Sequence, residues 1–526
     1  MTERMAVTAD PERGGGPGNS AVEAGTDSLA RSTGRGALWQ FVGAGWNSIV
    51  QLGASAVLAR VLSPKDFGML GMAVLAQGLI GRIGALGTGS GVIAKKDATE
   101  DDVSTAFWMG AIAQAFLFTM AFAAAPLVAV FFRTSALTWV MRAVSVTFLF
   151  TAVGSTSGIL LRKRLQFGPL KIIESGGVLF ASTLAIVLAV GFRLNYWALV
   201  LAMVVGRLAT TVATVLYARW LPSLRFSRES FRFLFRYGIH GLGATSVGFF
   251  RHNIDYLLVG RLLGPATLGL YEFAYRIPHL MLNRLAMPVS RVLFPSLAKA
   301  QTSDRRLTGG YLKATKYIAL IVFPLLGGLA VLARPTVAVL WGPKWLPVTF
   351  PLQLLCIAAA ARCVAVGAQA VFLCKNRPDL PFKFGLAELA ITFASVCGFG
   401  YAFGLWGVAL GMVIGSVPGL CVACYALHLA RRSSLRLLVA LLPPTIGTAG
   451  CIVAAAGTYA LCGAFHLPSW AVLTLAVPVG ALAYISVLVV WFREQVREVL
   501  ETVRLVLPRR FALRCRGRHR QGALAR

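Results

Sequence analysis

Charge is scarce in this 526-residue sequence. Asp, Glu, Lys and Arg make up 13% of it, about half the ~25% usual in soluble globular proteins, which excludes a soluble enzyme built of several domains. Acids are scarcer still, 20 against 51 Lys and Arg, for a formal net charge of +31. Cysteine is missing from the first 355 positions; all nine lie from Cys356 onward, mostly in apolar stretches. The lone C-x-x-C at Cys421 and Cys424 has no partner pair and no nearby histidines, so no metal site and no redox chemistry are expected. There is no Walker-type phosphate loop, and ATP hydrolysis by this chain is not expected. Residues 1–36 lack the basic, apolar and small-residue succession of a secretory signal, and read as a disordered cytoplasmic tail.

Apolar length is what the chain has in abundance. Hydrophobic residues are 57% of it and the mean hydropathy is +0.71. Fourteen apolar segments follow one another at 37–62, 67–93, 103–132, 136–160, 170–191, 195–219, 237–263, 266–298, 312–333, 346–374, 382–403, 405–429, 436–462 and 468–492. Most are near the ~20 residues that carry a helix across ~30 Å of hydrocarbon. A basic excess of this size would ordinarily suggest nucleic acid, but its distribution follows the spans. Connections after even-numbered segments hold 22 Lys and Arg, whereas those after odd-numbered segments hold five, Lys65, Arg133, Arg193, Arg334 and Lys344. Positive charge is retained on the cytoplasmic side, so both termini are expected there and no nucleic-acid partner is expected. From Arg493 onward ten Arg stand against three Glu, a basic tail suited to anionic membrane lipids.

Self-comparison shows a repeat. Residues 58–70 read LARVLSPKDFGML and 259–271 read VGRLLGPATLGLY. Arg60, Leu62, Pro64 and Gly68 match Arg261, Leu263, Pro265 and Gly269 at one offset, and both copies fall at the end of the first segment of a six-segment block. The expected fold is an all-α polytopic membrane protein of about fourteen transmembrane helices. It has two six-helix lobes, 37–219 and 220–429, related by pseudo-two-fold symmetry, then two extra helices at 430–492 and the tail 493–526.

With the stretches HNIDYLLVGRLLGPATLGLYEFAYR (252–276), PVSRVLFPSLAK (288–299) and LWGPKWLPVTFPLQLLC (340–356), the chain resembles Wzx-type polysaccharide flippases, nearest their colanic-acid exporter branch, in the multidrug/oligosaccharidyl-lipid/polysaccharide exporter superfamily. The resemblance spans the first twelve segments. It implies two lobes around a central cavity that move a polyprenyl-diphosphate-linked oligosaccharide across a bacterial inner membrane by alternating access, alongside polysaccharide polymerase and export machinery.

With the tails and the cations at segment edges counted among the connections set aside, ten basic residues remain inside the segments, and all are Arg: Arg60, Arg82, Arg142, Arg207, Arg251, Arg261, Arg276, Arg284, Arg291 and Arg362. An intramembrane cation facing lipid costs roughly 2.5–3.5 kcal/mol, so these side chains must face protein or water. Their planar fork suits a diphosphate. Arg207 and Arg276 lie about 18 Å from the outer ends of their segments; with Arg82, Arg251 and Arg284 they are the candidate diphosphate ligands. Arg60, Arg142, Arg261 and Arg291 lie nearer segment ends, where they can snorkel. Four acids accompany them, Glu174, Asp255, Glu272 and Glu388. Arg251/Asp255 and Glu272/Arg276 are each four apart and share a helix face. Either the pairs simply neutralise one another, or a carboxylate releases its Arg when a cation binds; Asp255, Glu272, His252 and Asn253 are the candidate coupling residues, with Na+, H+ or no ion as the driver. His240 reads as interfacial. Gly407, Gly411, Gly415 and Gly419 form a small-residue packing stripe, and Pro278, Pro288 and Pro295 predict kinks. No catalytic residue and no cofactor is expected. The alternatives are a cation-coupled multidrug exporter, a flippase for peptidoglycan lipid precursor and, least favoured because outer loops are short and nearly free of acids, a membrane polymerase or glycosyltransferase.

Overall fold

The computed structural model describes residues 17–83, 95, 99–220, 222–223, 225–298, 303–494 and 497, with side chains from Leu38 onward except at 83, 237–247, 290–292 and 294–296. Residues 1–16, most of the basic tail and the side chains of His240 and Arg291 lie outside that set. Among the described residues the secondary structure is helical, without strands. Ten helices among the described residues are long and apolar enough to cross a membrane, and the chain is a multi-pass membrane protein.

The first lobe comprises α1 (Pro17–Val61), α2 (Pro64–Ile83), α3 (Glu100–Phe131), α4 (Leu137–Lys163), α5 (Phe167–Val190) and α6 (Tyr196–Ala218). The second comprises α7 (Arg228–Met281), a π-helical turn at Leu282–Ala286, α8 (Met287–Ala298), α9 (Asp304–Val331), α10 (Ala333–Leu340), a 3-10 turn at Pro343–Val348, α11 (Thr349–Ala365), α12 (Ala368–Cys374) and α13 (Asp379–Leu429); α14 (Leu435–Ala464) and α15 (Ser469–Trp491) follow. α7 and α13 are each two antiparallel limbs joined at one glycine with positive φ, Gly264 at 81° and Gly404 at 60°, a conformation that glycine adopts without the Cβ penalty. Counting their limbs separately, every expected segment has a helical counterpart.

Three helix starts differ from expectation. α1 extends back to Pro17 through residues assigned to the leading tail: proline is well placed at a first helical turn, and no second proline interrupts the run to Val61. Its membrane-length apolar part begins only at Leu38. α7 and α9 likewise begin eight or nine residues early, at Arg228 and Asp304, because polar turns continue these helices beyond their apolar stretches.

The joint between lobes is α2 against α7. An added Cβ on Gly68 would be driven into the Pro265 carbonyl, and one on Gly269 into the Pro64 carbonyl, so the repeated residues pack on each other. At this charge-poor end Phe67, Phe273, Trp341 and Trp345 form a buried plug: Phe273 stacks on Trp345 with centroids 3.9 Å apart and meets Phe67 edge-on at 4.8 Å. Trp345 Nε1 donates to Ala59 O (2.8 Å), Lys344 Nζ to Leu62 O (2.6 Å) and Arg60 to Val339 O (3.1 Å), tying the second lobe to the end of α1. At the opposite, basic end, buried Asp102 accepts from Lys95 (2.7 Å), Ser230 (2.6 Å) and the Thr99 backbone (2.9 Å), which pins the start of α7 to α3. The glycine stripe is a packing device: Gly407, Gly411 and Gly415 face Phe399, Ser395 and Thr392 across the α13 hairpin, while Gly419 faces Ala365 of α11. After Pro278 and before Pro288 the chain winds as the π turn.

Candidate functional site

A cavity of about 870 Å³ opens inside the first lobe, walled by α1 to α6 and closed on one side by Glu272 and Arg276 of α7. Its polar lining is largely neutral: Asn47 and Gln51 on α1, Gln77 on α2 and Gln114 on α3. Gln77 donates to Thr147 Oγ1, whereas Asn47 Oδ1 and Gln114 Oε1 are buried without a partner among the described residues. Both oxygens are shielded from solvent, and leaving a buried amide oxygen unpaired costs roughly 1–3 kcal/mol.

The five candidate phosphate ligands do not share one site. Arg207 lines the large cavity and donates to Thr151 Oγ1 (3.0 Å). Arg276 lines it too, paired with Glu272 at 2.7 Å and lying 4.7 Å over the Phe273 ring. Arg284, exposed, joins Arg276, Glu272, His279 and Asn283 around an adjoining space of about 630 Å³. Arg251 lies in a third space of about 230 Å³ within the second lobe, with His252, His279, Arg362 and Glu388. Arg82 lines none of these and sits 5.5 Å over the Phe249 ring.

The expected Arg251/Asp255 pair is not formed. Arg251 pairs with Glu388 of α13 at 3.5 Å, and its guanidinium passes over Gly385, one turn away. Asp255 is 1% exposed and accepts from Tyr271 OH at 2.6 Å. Four residues of separation put both on one helix, but Asp255 faces the seam of the α7 hairpin and Arg251 its edge. The Glu272/Arg276 pair is formed as expected. His252 Nδ1 is 2.8 Å from Gly248 O and Asn253 donates to Phe249 O (2.9 Å), so both bond within their own helix. Arg142 rests on Phe122 and Trp139, and Arg261 on Phe131.

Reading charges alone missed the amide row and Arg362, whose Nη1 donates to Tyr275 OH (3.2 Å) beside Asp255. The signal was present: Asn47 and Gln51 are four apart in an apolar segment, and Tyr271, Tyr275 and His279 repeat at the same spacing.

Two helical lobes, the first enclosing a polar cavity, describe an architecture, and comparison with known proteins gives it a family. A model described as polysaccharide biosynthesis protein matches residues 57–349, more than half of the chain. The chain belongs to that family. The chain is 26% identical over 495 residues to the teichuronic acid biosynthesis protein TuaB of Bacillus subtilis (strain 168), covering 91% of this chain and 99% of TuaB. It is 25% identical over 397 residues to the lipopolysaccharide biosynthesis protein WzxC of Escherichia coli (strain K12), covering 74% and 79%. The structure of the lipid II flippase MurJ in an inward closed conformation superposes with TM-score 0.71 at 14% identity, over 87% of this chain and 99% of that one, so the fold is shared.

Proposed function

We propose that this family member carries a polyprenyl-diphosphate-linked oligosaccharide across the bacterial inner membrane by alternating access, for exopolysaccharide or lipopolysaccharide assembly. The carrying observation is the cavity inside the first lobe: the neutral amide side chains that line it, Asn47, Gln51, Gln77 and Gln114, offer donors and acceptors of the kind sugar hydroxyls need, and Arg207 and Arg276 beside them suit phosphate. Its closure by the aromatic plug at the charge-poor end leaves loading from the basic end, which the positive-inside rule puts in the cytoplasm together with both termini. The α7 residues bring the cation-coupling reading with them. Glu272 is bonded to Arg276 and would let it go on taking up Na+ or H+, while Asp255, with His252 and Asn253 on the same limb, is held by Tyr271. The protein transports without altering the glycan, handing it to polymerase and export machinery. A multidrug exporter would favour a cavity richer in acids and aromatic residues.

The test is reconstitution of the purified full chain in liposomes with a lipid-diphosphate oligosaccharide, under imposed Na+ or H+ gradients. Wild type is expected to move the lipid to the opposite leaflet, and Arg276→Ala and Arg207→Ala to slow it at least tenfold, about 1.4 kcal/mol. Undiminished transport in both variants overturns the site; growth of the glycan without added enzymes overturns the transporter class.

A further inference from the structure

A further cavity, of about 330 Å³, lies on the other face of α2, between α2, α3 and α7. Ten of its eleven lining residues are apolar, among them Leu79, Phe131, Phe249 and Phe250. The eleventh, Asn253, spends its amide donor on Phe249 O (2.9 Å). Its size is at the lower end of ligand pockets. On α7 its lining runs from Phe249 to Leu257, eight residues apart on one limb, about 12 Å of rise.

One layer of side chains separates this slot from the polar cavity. Gly78 lines the large cavity, Phe249 lines the slot, and a Cβ on Gly78 would lie 3.0 Å from the Phe249 ring. At this seam stands Arg82, its guanidinium 5.5 Å over the same ring. Polar cavity, cation and apolar slot therefore succeed one another across α2, the order of polarity in a glycan, a diphosphate and a hydrocarbon chain.

We infer that the slot holds the isoprene units of the cargo nearest its diphosphate, with Arg82 at the joint meeting the diphosphate; this rests on the flippase reading and adds a path for the start of the tail. The cation belongs to the slot's inner end, toward the basic face from which the cargo is loaded. An ordinary phospholipid whose acyl chain filled the slot from the opposite, charge-poor face would carry its headgroup to the far end from Arg82.

The test is photolabelling of the full chain in nanodiscs of phosphatidylethanolamine and phosphatidylglycerol. One probe is farnesyl diphosphate with a diazirine on its terminal isoprene; the controls are diazirine-bearing farnesol and phosphatidylglycerol with the diazirine on an acyl end. Expected are farnesyl diphosphate adducts on peptides containing Leu79, Phe131 or Phe250. They should fall about tenfold, ~1.4 kcal/mol, in Leu79→Trp, which fills the slot. In Arg82→Gln they should fall similarly while farnesol labelling is unchanged. Adducts elsewhere, or equal labelling of Arg82→Gln, overturn the proposal. So does phosphatidylglycerol labelling of the slot that unlabelled farnesyl diphosphate does not displace, the mark of an annular acyl chain. Should Leu79→Trp not fold, wild type and Arg82→Gln decide. Wild-type transport in liposomes without slot labelling refutes the slot alone, and absent transport refutes the function.

Discussion

Gly68 lies under the carbonyl of Pro265, and Gly269 lies under the carbonyl of Pro64. The contact is reciprocal, like an isologous dimer interface folded into one chain. Alanine at either glycine meets a backbone oxygen that cannot swing aside, an overpacking cost of about 1–3 kcal/mol. Each single variant is expected to unfold at lower temperature in detergent, and the double variant to lose less than the two losses added, because one shared contact is broken twice. Full additivity would show the two contacts to be independent.

Trp345 is fully buried, stacked on Phe273 and bonded to Ala59 O. Trp345→Phe removes the hydrogen bond at about 0.5–1.5 kcal/mol, whereas Trp345→Ala also empties the plug at about 3–5 kcal/mol. A cysteine at Ser55, beneath Trp341, in a background freed of the native cysteines, should react with an impermeant thiol reagent from the charge-poor face faster in Trp345→Ala than in Trp345→Phe. Equal rates would show that the plug does not seal this end.

Arg251 and Glu388 are partly exposed, and exposed pairs are worth roughly 0.2–1 kcal/mol. A double-mutant cycle on thermal stability with Arg251→Gln and Glu388→Gln should return a coupling of about that size. The same cycle between Arg251 and Asp255 should return none. A coupling confined to the second cycle would restore the pairing expected from spacing alone.

Tyr271→Phe deletes the hydroxyl bonded to Asp255 and leaves a buried carboxylate short of a donor, a loss of about 1–3 kcal/mol. Asp255→Asn in the same background should recover part of that stability, since an amide tolerates the site without a charge. Failure of the rescue would mean that Tyr271 acts through packing.

Segment count and reversals were legible in the sequence because hydropathy reports burial in lipid: the gaps at 264–265 and at 404 fall on the two glycine reversals. Helix ends were not legible, since polar turns extend α7 and α9 past their apolar stretches. Among the charges, spacing within one helix found Glu272 with Arg276, but could not say that Asp255 turns to Tyr271 and Arg251 to Glu388, because those partners depend on how limbs pack. Arg82 was placed with the phosphate ligands by depth alone; that it faces Phe249 rather than the large cavity depends on the rotation of α2. The amide row was overlooked because neutral side chains carry no penalty large enough to mark them in an apolar run.

The glycine reversals also bear on how the protein is made. At Gly264 and at Gly404 the chain turns back within a single residue, and no hydrophilic loop separates one limb from the next. An insertion machinery that releases spans one at a time would have nothing polar to leave outside between them. Each hairpin must enter the bilayer as a finished pair, its limbs already matched, and only the remaining connections are free to be threaded in sequence.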